Sequence, residues 1–448
     1  MANENLAKFP LSDFLREELG HPNLAHLSAD PYRVLNIAAQ YARLGLYRRA
    51  LEVLSRDYPP VSPDQSEPGA VLPQNHPLVL YFRGYCREKL GEPAKKDYDR
   101  ASTLATAYIF PNTIEDLRAL QAAIRSNEND ATAHYLLGTW HFARAQTDAA
   151  LAEWQLARKI NPRIPVLQAD IGLALLHEKR DFAHALDIFL EGIGNDAANV
   201  VNYSGAVTAM ALLGKSAADR VHALERYPDL KSMPTPLVYE LALSGAEQGN
   251  YDAALGLFQN RFFGREEGGT NVRQVWIEVN LQRALAAAQT GRCKDALAAS
   301  ESLGSPVQGL VFTQDGLQPV LDSPRTNYLL GEIFAECGQK EKAQQKYSLA
   351  AQATTPSEVI WAWAAAKKLG RYNEAQWRER LNSALAHVQA NAATSGAASS
   401  WFYSAGVLQL ALGNEEQGKT SLREALLFPE THMSHHFTRL ALAGATPR

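Results

Sequence analysis

Three stretches of the sequence carry one spacing: Gly138, Ala150, Trp154 and Ala157; Gly331, Ala343, Tyr347 and Ala350; Gly406, Gly418, Leu422 and Ala425. In each, a small residue is followed twelve positions on by another, four later by a large apolar side chain, and three later by a small one. A pattern kept over that distance marks stacked supersecondary units, so the expected fold is all-α, an α-α superhelix of antiparallel helix pairs. The first small residue lets the two helices of a pair approach closely, and the second does so from the other side. Residues four apart share a helix face, so Trp154, Tyr347 and Leu422 should fill the space between pairs. Each such burial is worth about 1.5–3 kcal/mol. A proline follows at Pro162, Pro356 and Pro429, where it stops one helix without breaking the next.

These residues resemble the tetratricopeptide repeat, a helix–turn–helix unit of about 34 residues. Tyr135-Leu136-Leu137-Gly138 with Ala150, Trp154, Ala157 and Pro162 carries the likeness, as does Tyr328-Leu329-Leu330-Gly331 with Gly338, Ala343, Tyr347, Ala350 and Pro356. Weaker units are legible at Gly45, Tyr47, Ala50 and Leu54; at Gly84, Gly91, Ala94, Tyr98 and Ala101; at Gly172, Ala185 and Phe189; and at Gly249, Tyr251, Ala254 and Phe258. The likeness runs between residues 31 and 430 and implies a solenoid that binds other molecules and needs no cofactor.

A narrower set, Tyr108-Ile109-Phe110-Pro111, the Trp154 unit, and Arg261-Phe262-Phe263 with Glu267-Gly268-Gly269, resembles the helical C-terminal region of bacterial multidomain proteins. In those proteins a β-rich N-terminal domain of uncharacterised function, often in a carbohydrate-related setting, precedes the repeats. That resemblance implies a carbohydrate or a β-rich domain as an alternative partner.

The charge balance narrows the partner class. Lys and Arg number 44 against 48 Asp and Glu, which supplies no basic field to draw in nucleic acid. No apolar run approaches the ~18 residues of a membrane span, and Met1 to Phe14 lacks a basic start and apolar core; a cytoplasmic location is expected. The cysteines, Cys86, Cys293 and Cys337, form no CxxC pair and read as small buried helix residues.

A lead segment, residues 1–30, precedes an N-terminal half, 31–227, and a C-terminal half, 228–448, parted by the prolines between Tyr227 and Pro236. Residues 58–77 hold Pro59, Pro60, Pro63, Pro68, Pro73 and Pro77 and read as a long loop. Residues 304–324 read as a short hairpin or an extended crossing segment. Met433 to Arg448 should cap the last unit through Phe437, Leu440 and Leu442.

Three places carry candidate chemistry. Three residues before the small residue of each unit stands a tyrosine: Tyr81, Tyr135, Tyr239, Tyr328 and Tyr403. In the tetratricopeptide architecture that position commonly lines the concave surface, which implies an aromatic row for an extended peptide or sugar rings, with Thr139, Glu332 and Gln409 beside it. Tyrosine there also serves packing alone. The loop Arg265-Glu266-Glu267 pairs carboxylates with an arginine in a glycine-rich turn and is a candidate polar site. His432, His435 and His436 form a histidine cluster with only Glu430 near in sequence, and a capping, partly exposed terminus is expected rather than a metal site. No nucleophile elbow, P-loop or dinucleotide fingerprint occurs.

The expectation is a non-catalytic binding module for a protein segment or peptide; the alternative is a helical accessory of a carbohydrate-processing protein whose active site lies in another domain. A closed helical toroid acting as an enzyme would need inward carboxylates converging at one centre, and open stacking argues against that closure.

Overall fold

The computed structural model describes residues 12–60, 71–264, 271–305, 309–311, 317–394, 399–428 and 432–444. Among them it is all-α, a tetratricopeptide-like succession of antiparallel helix pairs, with only an isolated bridge between Phe262 and Val311. Internal contacts divide it into two compact units, residues 1–179 with 194–196 and residues 180–193 with 197–448. No described helix is long and apolar enough to cross a membrane.

The first unit runs α1 (Asp13–Glu18), α2 (Leu24–Ser28), α3 (Pro31–Arg43), α4 (Tyr47–Leu54), α5 (Pro77–Lys89) and α6 (Lys95–Ala101). It continues with α7 (Ile114–Ser126), α8 (Ala131–Phe142), α9 (Thr147–Ile160) and α10 (Leu167–Leu173), then a π-helical turn at Ala174–Lys179. Pro31 and Pro77 open α3 and α5 at their first turn, where a missing N–H costs no helix bond. Within the proline-rich stretch, Pro73–Asn75 forms a 3-10 turn and residues 61–70 lie outside the described residues.

The second unit contains α11 (Phe182–Asn195), α12 (Val200–Leu212), α13 (Ala217–Leu224), α14 (Thr235–Glu247), α15 (Tyr251–Gly256), α16 (Val272–Gln289) and α17 (Cys293–Ser302). After α18 (Leu317–Leu321) come α19 (Pro324–Glu336), α20 (Lys340–Ala350), α21 (Val359–Lys368), α22 (Glu374–Thr394), α23 (Ser399–Ala411), α24 (Glu415–Ala425) and α25 (His432–Leu442). The prolines between 227 and 236 lie inside this unit; they separate α13 from α14, which still pack together. Between 304 and 324, where a hairpin or extended crossing is expected, the described residues hold the short helix α18, and Val311 makes the bridge to Phe262.

The repeat spacing works as steric complementarity. A Cβ placed on Gly138 would lie 2.4 Å from the Trp154 ring, and on Gly331 2.6 Å from the Tyr347 ring. Trp154, Tyr347 and Leu422 are all buried, as their register requires. Gly84 meets Tyr98 in the same way across its shortened turn. Phe189, read with Gly172 and Ala185, also presses on Gly205 of α12.

The cysteine reading is also corrected. Cys293 opens α17 and Cys337 follows the end of α19, and they form a disulfide with a Cα separation of 5.3 Å across 44 residues. Each stands beside a tight turn whose glycine, Gly291 or Gly338, has a positive φ. Stacking sets such turns of neighbouring pairs side by side, which their distance in sequence hides. Cys86 remains a buried free thiol, its pKa pushed up to about 12 by burial.

Candidate functional site

In the second unit α14, α16, α19, α21 and α23 pack in succession, each against the next. Each buries a long run of consecutive residues, as helices covered on several sides must. The apolar run of α14 is nonetheless interrupted by Glu240 and that of α16 by Glu278, while Glu247 closes α14, and the side chains of all three are buried. Burial of an unpaired charge is prohibitive, so each needs a cation.

The cations come largely from the far end of the chain. Helix α25 packs on α23 and α24 and also reaches α14. Its His432, His436 and Arg439 recur at i, i+4 and i+7 and so form one stripe. His432 Nδ1 lies 2.9 Å from Glu240 Oε1, and Arg439 Nη1 lies 3.3 Å from Glu240 Oε2. Arg439 Nε donates to Glu247 Oε1 at 2.9 Å. His436 is fully buried between two carboxylates, Nδ1 2.7 Å from Glu247 Oε1 and Nε2 3.1 Å from Glu278 Oε1. Two carboxylate acceptors require two N–H donors, so this ring is an imidazolium. Arg220 from α13 adds a bond to Glu247, and Arg325 from α19 donates to Glu278 Oε1 at 2.7 Å.

The electrostatics follow from that arrangement. Burial pulls the His436 pKa down, but hydrogen bonds to Glu247 and Glu278 outweigh it and the net shift is upward. Burial alone would raise Glu247; Arg439 and His436 hold it at about 2. Glu240 and Glu278 are likewise held well below the usual carboxylate range against burial, by Arg439 and Arg325 respectively, each with histidine help. His435 points elsewhere, to the Phe428 carbonyl at 3.0 Å, and burial lowers it to about 4. All three carboxylates are thus ionised at neutral pH and none holds a proton to donate as a general acid.

Beside this cluster lies a cavity of about 330 Å³. Ile277, Arg325, Trp361, Tyr403, Met433 and Phe437 form part of its wall, with Glu278 at its charged side. The Arg325 guanidinium sits 4.1 Å from the Phe437 ring centroid and 5.7 Å from that of Trp361, so its charge is presented within an aromatic frame.

The histidine expectation is therefore corrected. His436 is buried, and the cluster's acidic partners among the described residues are Glu240, Glu247 and Glu278; Glu430 lies outside them. Carboxylates do converge within this unit, where α25 packs on both α14 and α23.

The tyrosine row divides. Tyr81 and Tyr135 are buried in the first unit, where their hydroxyls donate to Asp130 and Asp170, each at 2.9 Å. Burial, partly offset by the Tyr135 hydroxyl, raises Asp170 to about 6. Thr139 donates to the Tyr135 carbonyl at 3.1 Å. In the second unit, Tyr239 stacks on Phe263 and meets His432 edge-on, while Tyr328 contacts Tyr347 and Trp361. Tyr403 lines the cavity against Phe437. Glu332 accepts from Tyr347 and from Lys368, the latter at 2.8 Å, and buried Gln409 accepts from Ser421 at 2.8 Å. Arg265, Glu266 and Glu267 lie outside the described residues.

Glu240, Glu247, Glu278, Arg325, Trp361 and Arg439 are missing from the sequence-derived set. The available signal was a lone acid within an apolar helix, as in Leu237-Val238-Tyr239-Glu240-Leu241 and Trp276-Ile277-Glu278-Val279.

No protein-family profile and no curated protein matches the chain. Among solved structures it is similar to yeast Tom70, at 14% identity and a TM-score of 0.33 over 94% of this chain and 89% of that one. A structure of Naa15/Naa10 bound to HypK-THB shares 13% identity at a TM-score of 0.31 over 90% of this chain, which spans 64% of the matched chain. A tetratricopeptide repeat protein from Parabacteroides merdae shares 14% at 0.22, over 79% and 98%. Likenesses so distant carry no inference about ligands; the helix-pair architecture rests on the geometry above.

Proposed function

We propose that this chain is a non-catalytic helical-repeat binding module and that the inner face of its second unit holds a polypeptide segment. The observation that carries this reading is the cavity walled by Arg325, Trp361, Tyr403 and Phe437. A concave, largely apolar site with few convergent polar groups suits a ligand that offers an apolar side chain and a hydrogen-bonding backbone. Tyrosine and tryptophan supply such contact at low entropic cost, and arginine fixes orientation. Tyr239 and Tyr328 support the same face from behind, through Phe263 and Trp361. The ionised, cation-paired carboxylates favour a scaffold over an acid–base centre.

A displayed peptide library selected on the full chain, beside a Trp361→Ala variant with unchanged circular dichroism, tests this. Peptides that bind the parent chain and lose roughly tenfold or more in affinity on the variant are expected, since a buried aromatic anchor is worth about 2 kcal/mol or more. Peptides indifferent to Trp361, or binding to an oligosaccharide array with no peptide selected, would overturn it.

A further inference from the structure

We infer that the trough formed by Glu240, Glu247 and Glu278 is a receptor for a basic amphipathic helix of a partner protein, and that α25 is the chain's own occupant of it. This rests on the binding-module reading and names the partner's chemistry.

The occupant shows what the trough selects. Helix α25 brings His432, His436 and Arg439 on one stripe and sets Met433 and Phe437 into the adjoining cavity. An apolar face read at i and i+4, flanked by cations at i, i+4 and i+7, is how helices are recognised in grooves. Without α25, Glu240, Glu247 and Glu278 would face only Arg220 and Arg325 of the cations described here, leaving three carboxylates against two cations. A cationic helix is what that imbalance attracts.

The fit of α25 is incomplete. Ser244 Oγ, Arg439 Nη2, Arg220 Nε and Thr438 Oγ1 are buried without a hydrogen-bond partner among the described residues, and Glu240 Oε2 meets Arg439 in ion-pair range without an aligned bond. A partly satisfied polar network holds less tightly than a complete one. Arg439 Nη2 and Thr438 Oγ1 belong to α25 and leave with it; a partner helix that reaches Ser244 Oγ and Glu240 Oε2 with aligned donors gains what α25 leaves unmade. As a tethered segment, α25 competes at an effective concentration on the order of millimolar, so an external helix binds well only when α25 is weakened or the partner fits better.

The probe is a fluorescein-labelled peptide of residues 432–444 of this chain. On the full chain carrying His436→Ala and Arg439→Ala, it should bind roughly tenfold or more tighter than on the parent chain, and added Glu247→Gln should remove the gain. Equal affinity on both chains, or a gain that survives Glu247→Gln, would overturn the proposal. Should that double variant lose its circular dichroism signal, a second arm decides: a protease site placed between Phe428 and His432 severs α25 in the otherwise intact protein. Exchange of the severed helix for labelled peptide with the rest of the chain still folded is expected. A helix that does not exchange within a day, or whose exit unfolds the chain, would mark α25 as a fixed structural part. If Trp361-dependent library peptides bind while this helix does not, the inference fails and the binding-module reading stands; if no polypeptide binds, both fail.

Discussion

His436 and Glu247 are 189 residues apart in the chain and 2.7 Å apart in the fold. That contact fastens the last described helix to α14, and with Glu278 on the other ring nitrogen it gives the stacked pairs a buried ionic core. Removing one partner of such a buried network strands the others without compensation, at roughly 3–5 kcal/mol. His436→Ala should lower unfolding stability by about that amount, measured by urea denaturation.

The same contact sets a pH dependence. His436 has a raised pKa in the fold, so its contribution is complete below the unfolded value of about 6.5 and fades as pH rises through the higher folded value. Glu247, held at about 2, contributes above its unfolded value of about 4.3 and loses that contribution as pH falls towards 2. The stability difference between the parent chain and His436→Gln should be largest near pH 6 and shrink by pH 9. Equal differences at the two pH values would show that the ring is neutral in the fold.

Gly138 and Trp154 act as one steric device. Gly138→Ala puts a methyl group where the Trp154 ring lies, 2.4 Å away, and should cost about 1–3 kcal/mol. Trp154→Ala should cost roughly 3–5 kcal/mol through its cavity. The double variant should be less destabilised than the sum, because the smaller side chain makes room for the methyl group. Thermal unfolding of the four proteins tests this.

His76 is an isolated case in the first unit. It is buried with neither ring nitrogen hydrogen-bonded among the described residues, its ring edge-on to Tyr32, and burial lowers its pKa to about 3. The fold therefore loses stability on this account as pH falls from about 6.5 towards 3. His76→Phe should leave neutral stability little changed or improved and should reduce acid sensitivity between those values, as urea titrations at pH 7 and pH 4.5 would show.

The Cys293–Cys337 disulfide closes a loop of 44 residues, for which chain entropy gives about 4 kcal/mol of stabilisation. Reduction should lower the unfolding midpoint. Thiol alkylation followed by mass measurement should label no cysteine in the folded oxidised protein, since Cys86 is buried. Disulfides persist mainly in oxidising compartments, so the expected cytoplasmic location is open to the same measurement on protein taken directly from cells.

The helix pairs were legible in sequence because their signal is local. Gly138 with Trp154 and Gly331 with Tyr347 sit within one unit, where a fixed spacing must encode their contact. The ionic core was not legible, since no spacing links Glu240 to Arg439 or Glu278 to His436; only the oddity of a lone acid in an apolar helix pointed to it. For the same reason the disulfide was missed, its partners lying at the turns of neighbouring pairs. The tyrosine positions recur as written, yet their surroundings differ from unit to unit: Tyr81 and Tyr135 meet aspartates, whereas Tyr403 lines a cavity. Register fixes where a side chain starts, and the neighbouring pair decides what it meets.

The binding-module claim is tested most directly by hydrogen exchange on the full chain, with and without a saturating selected peptide. Slowed exchange concentrated in α16, α19, α21 and α23 is the expected result. Slowing confined to the first unit, or none at saturation, would contradict it.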